Sequence, residues 1–271
     1  MVDVHDQPSS PAVQLESVTV EFDDYVAISD VSLEIRRNAT TAIMGLSGSG
    51  KSTLLKVAAG LIPPSHGRVT ILGHAMRGMS DRELLDLRRS AGFVFQEAAL
   101  WQNMSIYRNL EVPLEHQMPE LTRGERQERI QKELSGFRFP RNLSLRPAVL
   151  SAGEAKMISF VRSTITRPGL LFLDEPTSFV DRSNQARILT RMRTLKREGT
   201  TLVIVTHNAK VAAQLADRVI VMADGEVAAN GTMTKVSGYE DERVVEALEE
   251  VLGNAMSYDE DLLSLLASTE E

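Results

Sequence analysis

The chain has 271 residues, 42% of them hydrophobic, a net charge of −7 and no cysteine. That length and apolar share suit one large α/β domain rather than two full domains. The missing cysteines exclude disulfides and thiolate metal sites and fit a reducing compartment, while the acidic balance argues against a nucleic-acid partner, which needs a basic face to displace counterions.

In chain order, residues 1–12 read as a flexible leader, polar and proline-bearing, without the apolar core of a secretory signal. No run approaches the roughly 18 apolar residues that span a membrane, so membrane association would pass through a partner. Residues 13–22 and 26–35 alternate apolar and polar side chains around the turn-prone Asp23-Asp24, the pattern of two half-buried antiparallel strands. Further strands are predicted at 40–44, 68–72, 93–96, 170–174 and 201–206, with helical patterns between most of them, which is the order of a doubly wound α/β core. Residues 97–160 change character and are predicted to form a helical subdomain. Within them 105–115 and 122–137 read as helices, the second capped by Thr122 with Glu125 in the capping-box position. Asp224-Gly225, between 218–222 and 226–229, marks a hairpin that closes the fold before about residue 235. Residues 236–271 form an acidic tail in which Val244, Val245, Leu248, Val251 and Leu252 share one helical face, followed by Leu262, Leu263, Leu265 and Leu266. Such a stripe calls for a packing partner.

The chemistry concentrates elsewhere. Gly45-Leu46-Ser47-Gly48-Ser49-Gly50-Lys51-Ser52-Thr53 fits the pattern G-x-x-x-x-G-K-[ST] and follows the apolar run at 40–44. Glycines there let backbone N–H groups converge at a helix start, Lys51 adds a mobile positive charge, and the resulting nest suits the β- and γ-phosphates of a nucleotide. Ser52 can hold Mg²⁺ through its hydroxyl. Leu170-Leu171-Phe172-Leu173-Asp174-Glu175 is an apolar strand ending in two carboxylates, of which Asp174 can hold Mg²⁺ through water and Glu175 can polarise an attacking water. Leu150-Ser151-Ala152-Gly153-Glu154 is predicted to open a helix at Ala155, giving a second anion-receptive terminus. Gln96 ends a predicted buried strand and supplies an amide, and His207 follows the strand at 201–206, within reach of a γ-phosphate.

These segments, in this order, resemble the ATP-binding cassette (ABC) ATPases over about residues 13–235. On that resemblance residues 45–53 are the Walker A loop, Gln96 the Q-loop, 150–154 the signature loop, 170–175 the Walker B strand, 178–181 the D-loop and His207 the switch histidine. It implies a P-loop NTPase core with an antiparallel β edge subdomain and a helical subdomain. It also implies ATP and Mg²⁺ as cofactors, Glu175, His207, Lys51 and Gln96 as the catalytic group, and Ser52, Gln96 and Asp174 around the metal. Phe22 falls where the family places an aromatic that stacks on adenine, with Tyr25 as the alternative. Ser151, Gly153 and Glu154 would meet the nucleotide of a second subunit, so one cassette per chain implies a homodimer with two ATP molecules at its interface. Ala152 and Glu154 depart from the usual Gly and Gln of the signature, and Phe179 and Val180 from the usual D-loop residues.

Within the family, residues 93–101 and 104–114 are similar to the ATPase of Mce-type (Mla-like) phospholipid transport systems. This implies a peripheral place on the cytoplasmic side of the inner membrane, integral permease subunits contacted through the helical segment near Trp101 and Tyr107, and an Mce-domain lipid-binding partner. A small cytoplasmic accessory subunit or the dimer partner would then cover the tail. Other importers and exporters share much of this segment. Soluble cassettes acting on ribosomes or DNA form the alternative of another class, but they usually carry two cassettes or long coiled coils.

Overall fold

The computed structural model describes residues 10–256 except Pro140. Most of the expected leader and the leucines at 262–266 therefore lie outside the described residues. The alternation at the start becomes a hairpin, β1 (Val13–Phe22) pairing antiparallel with β2 (Tyr25–Ile35), from Val13 opposite Ile35 to Phe22 opposite Tyr25. Ser17 takes a φ of 46°, and the register shift there keeps Leu15, Val18 and Val20 all buried. The chain then crosses to a second sheet through β3 (Thr40–Gly45) and α1 (Lys51–Ala58) and returns to the first. The strand expected at 68–72 thus belongs to the antiparallel layer and not to the doubly wound core: β4 (His66–Ile71) pairs with β1 and with the two-residue β5 (His74–Ala75), in the order β2-β1-β4-β5.

The second sheet collects β6 (Ala91–Val94), β7 (Leu170–Asp174), β8 (Thr201–Val205), β9 (Arg218–Ala223) and β10 (Glu226–Gly231) around β3, in the order β10-β9-β3-β8-β7-β6, parallel except for β10. Every residue of β3, β7 and β8 is buried, so their sequences run apolar instead of alternating. β6 stops at Val94, opposite Leu173, so Gln96 does not end a buried strand but lies exposed two residues beyond it. The hairpin at Asp224-Gly225 forms as expected, with both residues at positive φ.

The helices start where their caps put them. A capping box of Ser80 and Glu83 opens α2 (Asp81–Ser90), Ser105 caps α3 (Ile106–Gln117), and Thr122 with Glu125 makes the expected capping box of α4 (Arg123–Phe137). α5 (Ala152–Thr164) begins three residues before the predicted Ala155, because Ser151 and Glu154 cap each other. Asp181 caps α6 (Arg182–Arg197), and Asn208 caps α7 (Ala209–Leu215). The helical segment is continuous with the sheet: Leu110, Ile130, Phe160 and Ile188 share one core with Leu171 and Leu173 of β7.

Of the apolar stripe expected on the tail, Val244 and Leu248 pack on this chain itself, while the side chains of Val251 and Leu252 lie outside the description. α8 (Met233–Ser237) crosses the expected boundary at 235, and α9 (Glu242–Met256) buries Val244, Ala247 and Leu248 against Ala42, Met44, Val219 and Val221 of this chain's own β3 and β9. The physical reason is that β3 and β9 carry apolar side chains on that face, and α9 covers them. Val245 stays exposed. Accordingly, Leu248→Ala should lower unfolding free energy by about 2–3 kcal/mol, whereas Val245→Ala should change it by under about 0.5 kcal/mol. Urea denaturation of the full chain checks the contrast, and equal losses would contradict the packing of α9.

Candidate functional site

Parallel strands end side by side here. Ile43 of β3 and Asp174 of β7 both stand opposite Val205, the last residue of β8, so the glycine loop, the two carboxylates and His207 emerge at one level. Ligands collect at the carboxyl ends of parallel strands because the following helix N-termini point there.

The loop takes its shape from glycine. Gly45, Gly48 and Gly50 have φ of 142°, 81° and 95°, and a Cβ would stand 2.2 Å from the Met222 carbonyl oxygen at Gly45 and 2.5 Å from that of Ala27 at Gly50. Gly50 caps α1 without a side-chain acceptor, and the first turn holds no acidic residue, so the helix-start N–H groups are left for another acceptor. Lys51 Nζ donates to the carbonyls of Gly45 at 2.8 Å and Leu46 at 2.6 Å, which folds the ammonium over the loop. Ser49 Oγ is buried and has no hydrogen-bond partner among the described residues. An orphaned hydroxyl beside unused N–H groups and a lysine fits a phosphate ligand.

Ser52 Oγ donates to Asp174 Oδ1 at 3.0 Å. Burial raises the pKa of Asp174, against the opposing pull of that hydrogen bond. Among the described residues no group of three or more His, Asp or Glu could cage a metal. A cation held by Ser52 and Asp174 would therefore complete its shell with phosphate oxygens and water, which suits Mg²⁺. Glu175 leaves the strand with a φ of 47°. Its Oε1 accepts the His207 backbone N–H at 3.0 Å and lies 3.5 Å from His207 Nε2. Burial pushes the Glu175 pKa up to about 7, with Asp174 adding to the rise and the His207 N–H opposing it. Ser178 Oγ ties the following turn to the Glu175 carbonyl at 2.8 Å.

Gln96 stands apart from this network and is held through its backbone. Its carbonyl and that of Phe95, the latter at 2.9 Å, accept from Nζ of Lys156, while the Gln96 amide makes no hydrogen bond to Ser52 or Asp174. Lys156, on α5, is only 2% exposed, and sequence reasoning passed it over. The available signal was a single lysine inside the apolar run from Ala155 to Val161.

At the signature loop, Ser151 Oγ accepts the Glu154 N–H at 3.2 Å and Glu154 Oε2 accepts the Ser151 N–H at 2.8 Å. Arg141 Nε donates to Glu154 Oε1 at 2.9 Å and holds that carboxyl below its usual pKa range. Both oxygens of Glu154 are thus engaged within the chain. Ser151 is exposed, and Gly153 packs under the D-loop, where a Cβ would come 3.3 Å from the Phe179 carbonyl oxygen. Phe179 itself is 76% exposed at a φ of 62°. Asp181 spends its carboxylate capping α6 through the Asn184 N–H at 3.1 Å. On the other side of the loop, Phe22 and Tyr25 face each other across the hairpin at 45% and 58% exposure. Tyr25 reaches further toward the loop, its hydroxyl donating to the Gly48 carbonyl at 3.4 Å.

A family model described as "ABC transporter" matches residues 28–178. The Fe(3+) ions import ATP-binding protein FbpC of Streptomyces coelicolor is 36% identical over 225 residues, covering 83% of this chain and 63% of its own length. The macrolide export ATP-binding/permease protein MacB of Chlorobium luteolum is 38% identical over 234 residues, 84% of this chain and 35% of its own. This chain therefore spans less than two thirds of either relative. A solved dimeric ATP-binding cassette in a post-hydrolysis state, bound to ADP and Pi, has a TM-score of 0.75 at 30% identity, covering 82% of this chain and 98% of that one. With more than half its residues matched to the family model and the cassette fold reproduced, the chain belongs to the ABC transporter family.

Proposed function

We propose that this chain is the ATP-hydrolysing subunit of an ABC transporter, acting as a homodimer on the cytoplasmic face of the inner membrane through separate permease subunits. The carrying observation is convergence at one strand-end level of the uncapped glycine loop, the Ser52–Asp174 pair and the buried Glu175–His207 pair. Among the described residues no helix is long and apolar enough to cross a membrane.

MgATP bound there supplies the phosphoanhydride bond to be broken and a cation that offsets its charge. The N–H groups at the start of α1 hold the phosphates, and Lys51 exchanges the Gly45 and Leu46 carbonyls for phosphate oxygens. Ser47, Gly48, Ser49 and Thr53 complete the cradle. Ser52 and Asp174 would hold the cation, and Gln96 would offer its amide oxygen as a further ligand. Glu175, kept in place by the His207 N–H, orients the attacking water and accepts its proton, and the His207 ring faces the terminal phosphate. Ser151 and Gly153 of a second copy close the site from the opposite side. Phe22 stacks on adenine. Chemistry of this kind is mostly positioning and charge stabilisation.

For cargo we infer a phospholipid or similar lipid, moved with an Mce-domain partner and a small accessory subunit. The support is the similarity of residues 93–101 and 104–114 noted above. Trp101, exposed and stacked with the Arg162 guanidinium at 4.8 Å from its ring centre, is the permease contact. Tyr107 directs its hydroxyl inward to Glu111 at 3.2 Å and is the weaker candidate. Relatives named for iron import, methionine import and macrolide export make solute transport the second reading.

Glu175→Gln should bind ATP like the parent and hydrolyse it about a hundredfold or more slowly in the assembled complex; turnover near the parent rate would remove Glu175 from its role. Phe22→Ala should weaken ATP binding by about 1–2 kcal/mol of lost stacking, and a larger loss in Tyr25→Ala would exchange the two. Purification of the native complex should yield a permease, an Mce-domain protein and bound lipid. A soluble binding protein with a polar solute would overturn the lipid cargo and leave the ATPase assignment standing.

A further inference from the structure

Lys156 is a charge buried without a carboxylate. It is 2% exposed, and among the described residues no Asp or Glu oxygen lies within 4.0 Å of its Nζ, which donates only to the carbonyls of Phe95 and Gln96. An ammonium in such a place is expensive, and a hydrophobic side chain of the same volume would normally pack at least as well. Packing alone therefore does not explain it. Its position offers a reason. Lys156 stands five positions after Ser151 on the same helix α5, and Ser163, two turns further on, donates to the Phe93 carbonyl at 2.7 Å. α5 is thus fastened at two points to the segment 93–96, which leads to Gln96. Burial lowers the Lys156 pKa to about 8, and the fields of Asp174 and Glu175, the carboxylates of this chain's own site, oppose that fall.

We propose that Lys156 is a positioning residue that couples the two nucleotide sites of the dimer. Through α5 it links Ser151, which serves the partner's nucleotide, to the Gln96 segment, which serves this chain's own. The inference rests on the shared-site reading given above. A shift of α5 on engaging the partner's phosphates pulls the Phe95 and Gln96 carbonyls with it, because a buried ammonium cannot release both acceptors without losing its remaining solvation. One site then senses whether the other is closed.

The test uses the purified full chain with MgATP and compares parent, Lys156→Met and Lys156→Arg. The parent should hydrolyse ATP with a Hill coefficient approaching the two-site ceiling of about 2. Lys156→Met should keep the parent's affinity for a fluorescent ATP analogue and melt no lower, since the buried charge is removed, yet show a lower kcat and a Hill coefficient near about 1. Lys156→Arg, which keeps charged donors, should recover cooperativity. Unchanged kcat and Hill coefficient in Lys156→Met would overturn the coupling role, and so would a large drop in melting temperature with weakened analogue binding, which would make Lys156 structural. A parent without cooperativity at any protein concentration would overturn the shared-site reading itself, and this proposal with it.

Discussion

Two adjacent carboxylates, Asp174 and Glu175, end a strand that is buried along its whole length, and the difficulty of keeping negative charge there organises the surroundings. Continued as a strand, the two would face opposite sides of the sheet. The left-handed turn at Glu175 instead sends its carboxylate to the His207 N–H, while Asp174 stays with the Ser52 hydroxyl. Lys51 and Lys156 add positive fields from two sides. A ligand that brings both phosphates and a cation satisfies this arrangement better than any group of the chain does.

α5 carries the connection from that centre to the surface. Its N-cap is the exposed Ser151, its first turn packs Gly153 under the Phe179 carbonyl, its middle holds Lys156 against the carbonyls of residues 95 and 96, and its later part places Arg162 against Trp101. Nucleotide chemistry, the proposed dimer face and the proposed permease contact therefore share one rigid element. Glu154 strengthens its first turn through the reciprocal cap with Ser151, and Arg141 pairs with its carboxylate.

What was legible in the sequence was what local physics decides. The glycine loop needs positive φ at fixed spacing, Thr122 and Glu125 are three residues apart, and the Asp224-Gly225 turn specifies its own hairpin. β3, β7 and β8 announced themselves as apolar runs because both of their faces are covered. The misses depend on distant contacts. Residues 68–72 had the composition of a core strand, and only pairing with β1 decides its sheet. The fate of the stripe on α9 depends on the bare apolar face of β3 and β9, far away in sequence. Lys156 meets acceptors 60 and 61 residues away, and Arg141 meets Glu154 across 13, separations at which no periodicity signals a partner.

The central claim is that each nucleotide site is completed by Ser151 of another copy, and complementation tests it most directly. Lys51→Ala removes the phosphate lysine; Ser151→Asp keeps a good helix cap while placing a negative charge against the other copy's phosphates. Each variant alone should be inactive. A mixture should regain hydrolysis, because in mixed dimers the two defects fall on one site and leave the other intact. A mixture as inactive as its components, or a Ser151→Asp chain as active as the parent, would contradict the account.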